Sequence, residues 1–242
     1  MTLLLGCLLV GGYLLLQGVV TGLAAGVAMA LDGATGADAL WRSFEERAGL
    51  LFTLGTAVSA PLAVVATVLV AWAGMRRQGY ARPARAVERS FGLAAPSWGQ
   101  AVGWTLATAA FMGGYEAAAR LLDRPPLPDF LVQMHRTAGW LPGLLLVVVV
   151  VAPVVEELLF RGFLLPGLAA GPGSGAAAVV GTALLFAVIH LQYDLFDMGG
   201  VLGLGLLFGA ARQASGSLWL PVFLHTAVNL LAAVQVVWML GW

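Results

Sequence analysis

Charge is what this sequence has least of. Of its 242 residues, 10% are acidic or basic, against about a quarter in an ordinary soluble domain. The hydrophobic share is 60% and the mean hydropathy +0.92. Lipid must therefore be the solvent for most of the chain. The formal net charge is zero, and there is neither a basic tail nor an acidic run, so nucleic-acid binding is set aside as a function class. A single cysteine, Cys7, rules out an intramolecular disulfide and leaves the redox compartment unread. Its place in the first apolar run predicts a buried, inert thiol. Strand-length alternation is missing too, which argues against a membrane barrel.

No charged side chain precedes Asp32, and no Lys or Arg precedes Arg42. Ala28-Met29-Ala30 offers the small-x-small pattern of a signal-peptidase site. A cleavable signal, however, has a basic start and an apolar core of about 7–15 residues, and the run here is about twice that. We read it as a transmembrane helix.

What the chain does have is apolar runs of about 20 residues, each long enough to cross a hydrocarbon layer of about 30 Å as a helix. They cover residues 3–29, 51–75, 98–122, 141–168, 175–195, 197–213 and 218–240. The expected fold is an all-α polytopic transmembrane bundle of about seven spans, a single integral membrane domain. Residues 1–140 supply the first three spans and a basic loop, 76–97. Residues 141–242 supply the core that carries the buried ionisable groups. Gly199, Gly200, Gly203, Gly205 and Gly209 give the sixth span the small-residue spacing of close helix packing.

The loop with Arg76, Arg77, Arg82, Arg85 and Arg89 is the most basic, so the positive-inside rule puts it in the cytoplasm. Threading from that anchor places the N-terminus inside and the C-terminus outside a cell membrane. Contact of this loop with anionic membrane lipids is the lesser reading. Asp123-Arg124-Pro125-Pro126-Leu127-Pro128 reads as a stiff external connection, and Trp41 to Arg47 as a candidate short interfacial helix.

Ionisable side chains inside a span cost several kcal/mol on even lenient scales, roughly 2.5–3.5 each, so they point to function. Glu156, Glu157 and Arg161 lie in the fourth span, His190 in the fifth, and His225 and Asn229 in the seventh. Glu116 has Arg120 one turn on and reads as an ordinary helix pair. His135, in the external loop, reads as solvated, and Phe186 and Trp219 as packing residues. Counted from the turn Gly171-Pro172-Gly173-Ser174-Gly175, Glu156 and His190 each lie about 15 residues away, hence at one depth of roughly 22 Å. His225 is shallower by the same count, a gap that a tilt or a long re-entrant connection would have to close.

Spacing assigns faces. His225 and Asn229 share one face a turn apart, as do Glu157 and Arg161, acid first. Arg161 is expected to neutralise Glu157, leaving Glu156, about 100° away around the helix, to act on a water. That set suits hydrolysis: a desolvated carboxylate as general base, His190 sharing the water or protonating the leaving amine, and His225 with Asn229 as oxyanion donors. Glu156, His190 and His225 could also ligate Zn²⁺ with a position open for water. No HExxH pair supports a metal, and Arg161 argues against more positive charge, so the expectation is no cofactor, with zinc as the alternative.

The run Glu156-Glu157-Leu158-Leu159-Phe160-Arg161-Gly162, then Phe186 to His190, then His225 to Asn229, completes the pattern EExxFRG, FxxxH, HxxxN. It closely resembles the CPBP family, which contains the type II CAAX prenyl proteases and the bacteriocin-processing and abortive-infection (ABI) proteins. Ser217-Leu218-Trp219-Leu220-Pro221 looks like that family's approach to its third motif. The resemblance covers about 153–229. It implies that Glu156 and His190 activate the water, that His225 and Asn229 form the oxyanion site, and that Glu157 and Arg161 support them. It leaves open metalloprotease against glutamate protease. A CAAX protease-like intramembrane endopeptidase is expected, acting on a hydrophobic, lipid-associated, prenylated or leader-type peptide. The alternatives are a non-catalytic immunity or scaffold protein binding a partner in the same cavity, and a proton-coupled transporter.

Overall fold

The computed structural model describes residues 2–170 and 174–242. Among them the chain forms ten helices and no strand. They are α1 Thr2–Leu31, α2 Ala37–Glu46, α3 Ala48–Arg77, α4 Pro83–Phe91, α5 Trp98–Leu121 and α6 Asp129–Arg136. Then follow α7 Leu141–Leu168, α8 Gly175–Val188, α9 Leu195–Ser215 and α10 Trp219–Met239. The protein is an all-helical, multi-pass membrane bundle.

Five of these, α1, α3, α7, α9 and α10, are long and apolar enough to cross a membrane. The other two predicted spans differ. The third, α5, has 24 residues but too many polar ones to qualify by hydropathy. The fifth was expected over 175–195, yet α8 stops after 14 residues, about 21 Å. Hydropathy sees no break there because Ile189 and Leu191 are as apolar as the helix. The break lies in Asp194, whose Oδ1 accepts from the backbone N–H groups of Phe196 (2.9 Å) and Asp197 (3.0 Å) and so starts α9. The Asp197 N–H is the main influence holding the Asp194 carboxyl below the usual aspartate range, against desolvation and with help from Arg124. Residues 189–194 thus join α8 to α9 without helix, and His190, Gln192 and Tyr193 among them line a cavity.

Two predicted loops are also partly helical. The basic loop contains α4, opened by Pro83 and closed by Gly92 in the left-handed region at φ 66°. The external connection leads into α6, which packs on the start of α3 through Thr137: its Oγ1 accepts from Gly49 N at 2.9 Å. The acidic-aromatic stretch around Trp41 is indeed helical, as α2. Of the glycine-rich turn before α8, Gly171, Pro172 and Gly173 lie outside the described residues.

Cys7 is exposed on the outside of the bundle, contrary to expectation. The buried stripe of α1 is Gly6, Val10 and Tyr13, and Cys7 falls off it by about 100°. Exposed aromatic side chains ring both ends, Trp41, Trp140 and Trp238 at one, Trp98 and Trp219 at the other, as expected for rings seated at a membrane interface. The glycines of α9 work as close-packing positions. A Cβ on Gly200 or Gly203 would meet the rings of Tyr115 and Phe111 on α5, and one on Gly205 or Gly209 would press on Ala183 and Val179 of α8.

Candidate active site

The site is built on α7, which is not a uniform helix. Val147–Val151 and Leu158–Leu164 are wound as π-helix, and the α-helical turns between them hold both acids. Each π segment is followed by a proline, and each leaves one carbonyl without a helical partner. Ala152 gives its N–H to Val147 O, five residues back; the next residue, Pro153, has none to give to Val148 O. Asn229 on α10 supplies it, Nδ2 donating to Val148 O at 2.8 Å. In the second segment Leu165 bonds Phe160 O, Pro166 has no N–H for Arg161 O, and Arg212 Nε on α9 donates there at 3.2 Å. Buried carbonyls need partners, so each proline dictates a side-chain donor from a neighbouring helix.

Glu157 and Arg161 are fully buried. Arg161 Nη1 donates to Glu157 Oε1 at 2.9 Å, and Nη2 to the Gly205 carbonyl at 3.0 Å, which the bare face of α9 leaves within reach. The guanidinium also lies over the Phe186 ring, 4.6 Å from its centroid. The same Glu157 oxygen is 3.0 Å from His225 Nδ1. A carboxylate only accepts, so Nδ1 carries the proton, and His225 Nε2 is turned toward Glu156 Oε2, 3.8 Å away. Phe208 and Phe186 pack on the two sides of this imidazole.

Glu156 differs from its neighbour in exposure and in its partners. It is partly exposed, makes no ion pair with an arginine among the described residues, and faces a cavity of about 740 Å³ that His190, His225, Asn229 and Phe186 also line. His190 sits two residues beyond the end of α8. Its Nδ1 donates to Phe186 O at 2.7 Å, which leaves Nε2 unprotonated in the neutral ring. Tyr193 stacks on it at 6.0 Å with the rings 6° apart. The five residues that the sequence singled out thus converge from α7, the 189–194 connection and α10, with Arg161 behind them.

The stretch that contains all of them, residues 138–231, matches the family described as Type II CAAX prenyl endopeptidase Rce1-like. Over those residues the chain is similar to that family. An uncharacterized 24.3 kDa protein of Escherichia coli is 38% identical over 84 residues, which is 34% of this chain and 38% of that protein. The chain therefore spans well under half the length of that relative. No solved structure matches. Helices α1 to α6 lie ahead of the matched stretch, yet α1, α5 and α6 wall the same cavity through Tyr13, Thr108 and His135.

The depth mismatch of His225 is resolved at the other end of the bundle. The turn before α10 is sunk into the protein, with Ser217 and Leu218 buried. Residues 90–94 brace it: Leu218 N donates to Gly92 O (2.8 Å), Ser217 Oγ to Ala94 O (2.6 Å), and Arg212 Nη2 to Ser90 O (3.0 Å). Gly92 has no alternative, since a Cβ there would sit 2.1 Å from Gly216 O. Starting deeper, α10 brings His225 level with Glu157.

Among the described residues no three His, Cys, Asp or Glu side chains converge on a point that a metal could occupy. Glu156, His190 and His225 share the cavity but, as arranged, do not form such a group. Sequence reading missed Arg212, Gly92, Pro153 and Pro166; the prolines were the available signal. It also misplaced His135, which is 1% exposed on α6, with Nδ1 on Leu131 O at 2.8 Å. An external loop that folds back as a helix over the cavity buries what a linear reading leaves in solvent.

Proposed function

We propose that the chain is an intramembrane endopeptidase that hydrolyses a peptide bond in a hydrophobic or lipid-associated peptide. The observation that carries this is the asymmetry of the two adjacent acids: Glu157 is sealed between Arg161 and His225, while Glu156 faces the cavity next to the His225 ring. Glu156 is the general base. It takes a proton from a water molecule as the water oxygen bonds to the carbonyl carbon, and the carbonyl π pair moves onto oxygen as an oxyanion. Collapse of that tetrahedral species re-forms the C=O bond and breaks the C–N bond. The nitrogen leaves with the proton held by Glu156, passed directly or through His190 Nε2.

Glu157 orients His225 rather than reacting, and Arg161 pairs with Glu157 in an apolar interior. Asn229, anchored by one N–H on Val148 O, has a second N–H for the oxyanion. A mainly apolar cavity of this size suits a peptide with an apolar or lipidated segment. In the cell membrane, the basic end of the bundle faces the cytoplasm.

Purified protein in liposomes, incubated with a hydrophobic peptide library and followed by mass spectrometry, tests the reading. Wild type is expected to yield defined fragments that Glu156→Gln does not. Identical product lists from both would remove Glu156 as the base. Elemental analysis of the active preparation addresses the zinc alternative, with stoichiometric metal as the result in its favour.

A further inference from the structure

The motif side chains on the cavity wall offer few free hydrogen-bond donors. A tetrahedral oxyanion is held by two or so donors aimed at it from a dry wall. His225 Nδ1 is engaged by Glu157 and its Nε2 faces a carboxylate; His190 Nδ1 is engaged by Phe186 O; one Asn229 N–H is engaged by Val148 O. Of the motif residues that line the cavity, Asn229 alone keeps an unengaged N–H, since the unpaired Nε–H of Arg161 is not on the cavity wall.

Tyr13, on α1 and outside the matched stretch, lines the same cavity. It is 6% exposed, its ring packed in the cluster of Val155 and Leu159, which flank Glu156 on α7, and of Phe186. No hydrogen bond joins it to Glu156, although the carboxylate is close enough to act on it through space, and its hydroxyl lies beside Thr56 and Ser59 of α3. Gln17 Nε2 donates to Thr56 Oγ1 at 2.9 Å. With that oxygen accepting, the Thr56 proton is available to the Tyr13 oxygen, an arrangement that would leave the Tyr13 proton for the cavity that its side chain lines.

We propose that Tyr13 is a further catalytic residue, its O–H donating to the oxyanion opposite the Asn229 N–H. The assignment rests on the hydrolytic reading above. It makes the first helix part of the active site and not only a membrane anchor.

The test uses the full chain in liposomes and a hydrophobic peptide that wild type cleaves. Tyr13→Phe keeps the ring and should keep the wild-type unfolding temperature. Its kcat is expected to fall on the order of 10²-fold with little change in KM. A phosphinic isostere of the same peptide, with a tetrahedral oxygen where the oxyanion forms, should bind Tyr13→Phe on the order of tenfold more weakly. The plain peptide should bind Glu156→Gln with and without Tyr13→Phe equally well. Thr56→Val, which leaves the tyrosine in place, should give a smaller drop in kcat. Unchanged kcat in Tyr13→Phe, or equal weakening for isostere and plain peptide, would overturn the proposal while leaving the protease reading intact. No difference between wild type and Glu156→Gln would end both.

Discussion

The two π segments of α7 solve one problem in two ways. Each has a proline just beyond it, each leaves a buried carbonyl unpaired, and each receives a side-chain donor from a later helix. At Val148 the donor is neutral Asn229, part of the cavity wall. At Arg161 it is Arg212, a buried cation at the end of the bundle, which also holds Ser90. A missing N–H thus positions a candidate site residue in the first case and locks the sunk turn under α10 in the second. The helix defect, not the helix, selects the partner.

That comparison can be broken at four points. The largest effect is expected for Arg161→Met, which leaves the Glu157 charge buried without its cation: about 3–5 kcal/mol of stability lost, read by denaturant titration in detergent. A loss under about 1 kcal/mol would mean that Glu157 finds another partner. Next, Arg212→Met removes a charged donor from two carbonyls and should cost about 2–3 kcal/mol. It should lower kcat only through loosened α10, so that KM and kcat worsen together. Asn229→Ala should cost less stability, about 1–2 kcal/mol for the orphaned Val148 carbonyl, yet suppress cleavage far more than Arg212→Met does. If the two variants lost activity equally, the division between site and brace would fail.

The smallest effect is the most diagnostic. Pro153→Ala restores an N–H for Val148, so Asn229→Ala made in that background should cost roughly 0.5–1.5 kcal/mol less than in wild type. The matching pair, Pro166→Ala with Arg212→Met, should couple more weakly because Arg212 still loses Ser90. Strict additivity in the first cycle would show that Pro153 does not create the need for Asn229.

Much of this arrangement was legible beforehand. Helices occupy all seven predicted spans, and the pairing of Glu157 with Arg161 and the shared face of His225 and Asn229 followed from helical spacing. Those relations are local, set by 3.6 residues per turn. What escaped was set by contacts between distant residues. The end of α8 is written in a side-chain cap six residues later; the level of α10 depends on residues 90–94; the burial of His135 depends on α6 folding back onto α3. Hydropathy counts side chains and is blind to missing N–H groups, so the prolines that shape α7 passed as ordinary members of an apolar run.

The shortness of α8 also bears on how the protein is made. At about 21 Å it falls short of a bilayer's hydrocarbon thickness of about 30 Å, so α8 is not a free-standing unit of membrane insertion. It must be carried in with α9, whose glycine face it packs against. The chain as far as Ser215 therefore has to be synthesised before His190 settles at its depth. Assembly of the site thus depends on a hairpin, α8 with α9, and not on a single helix.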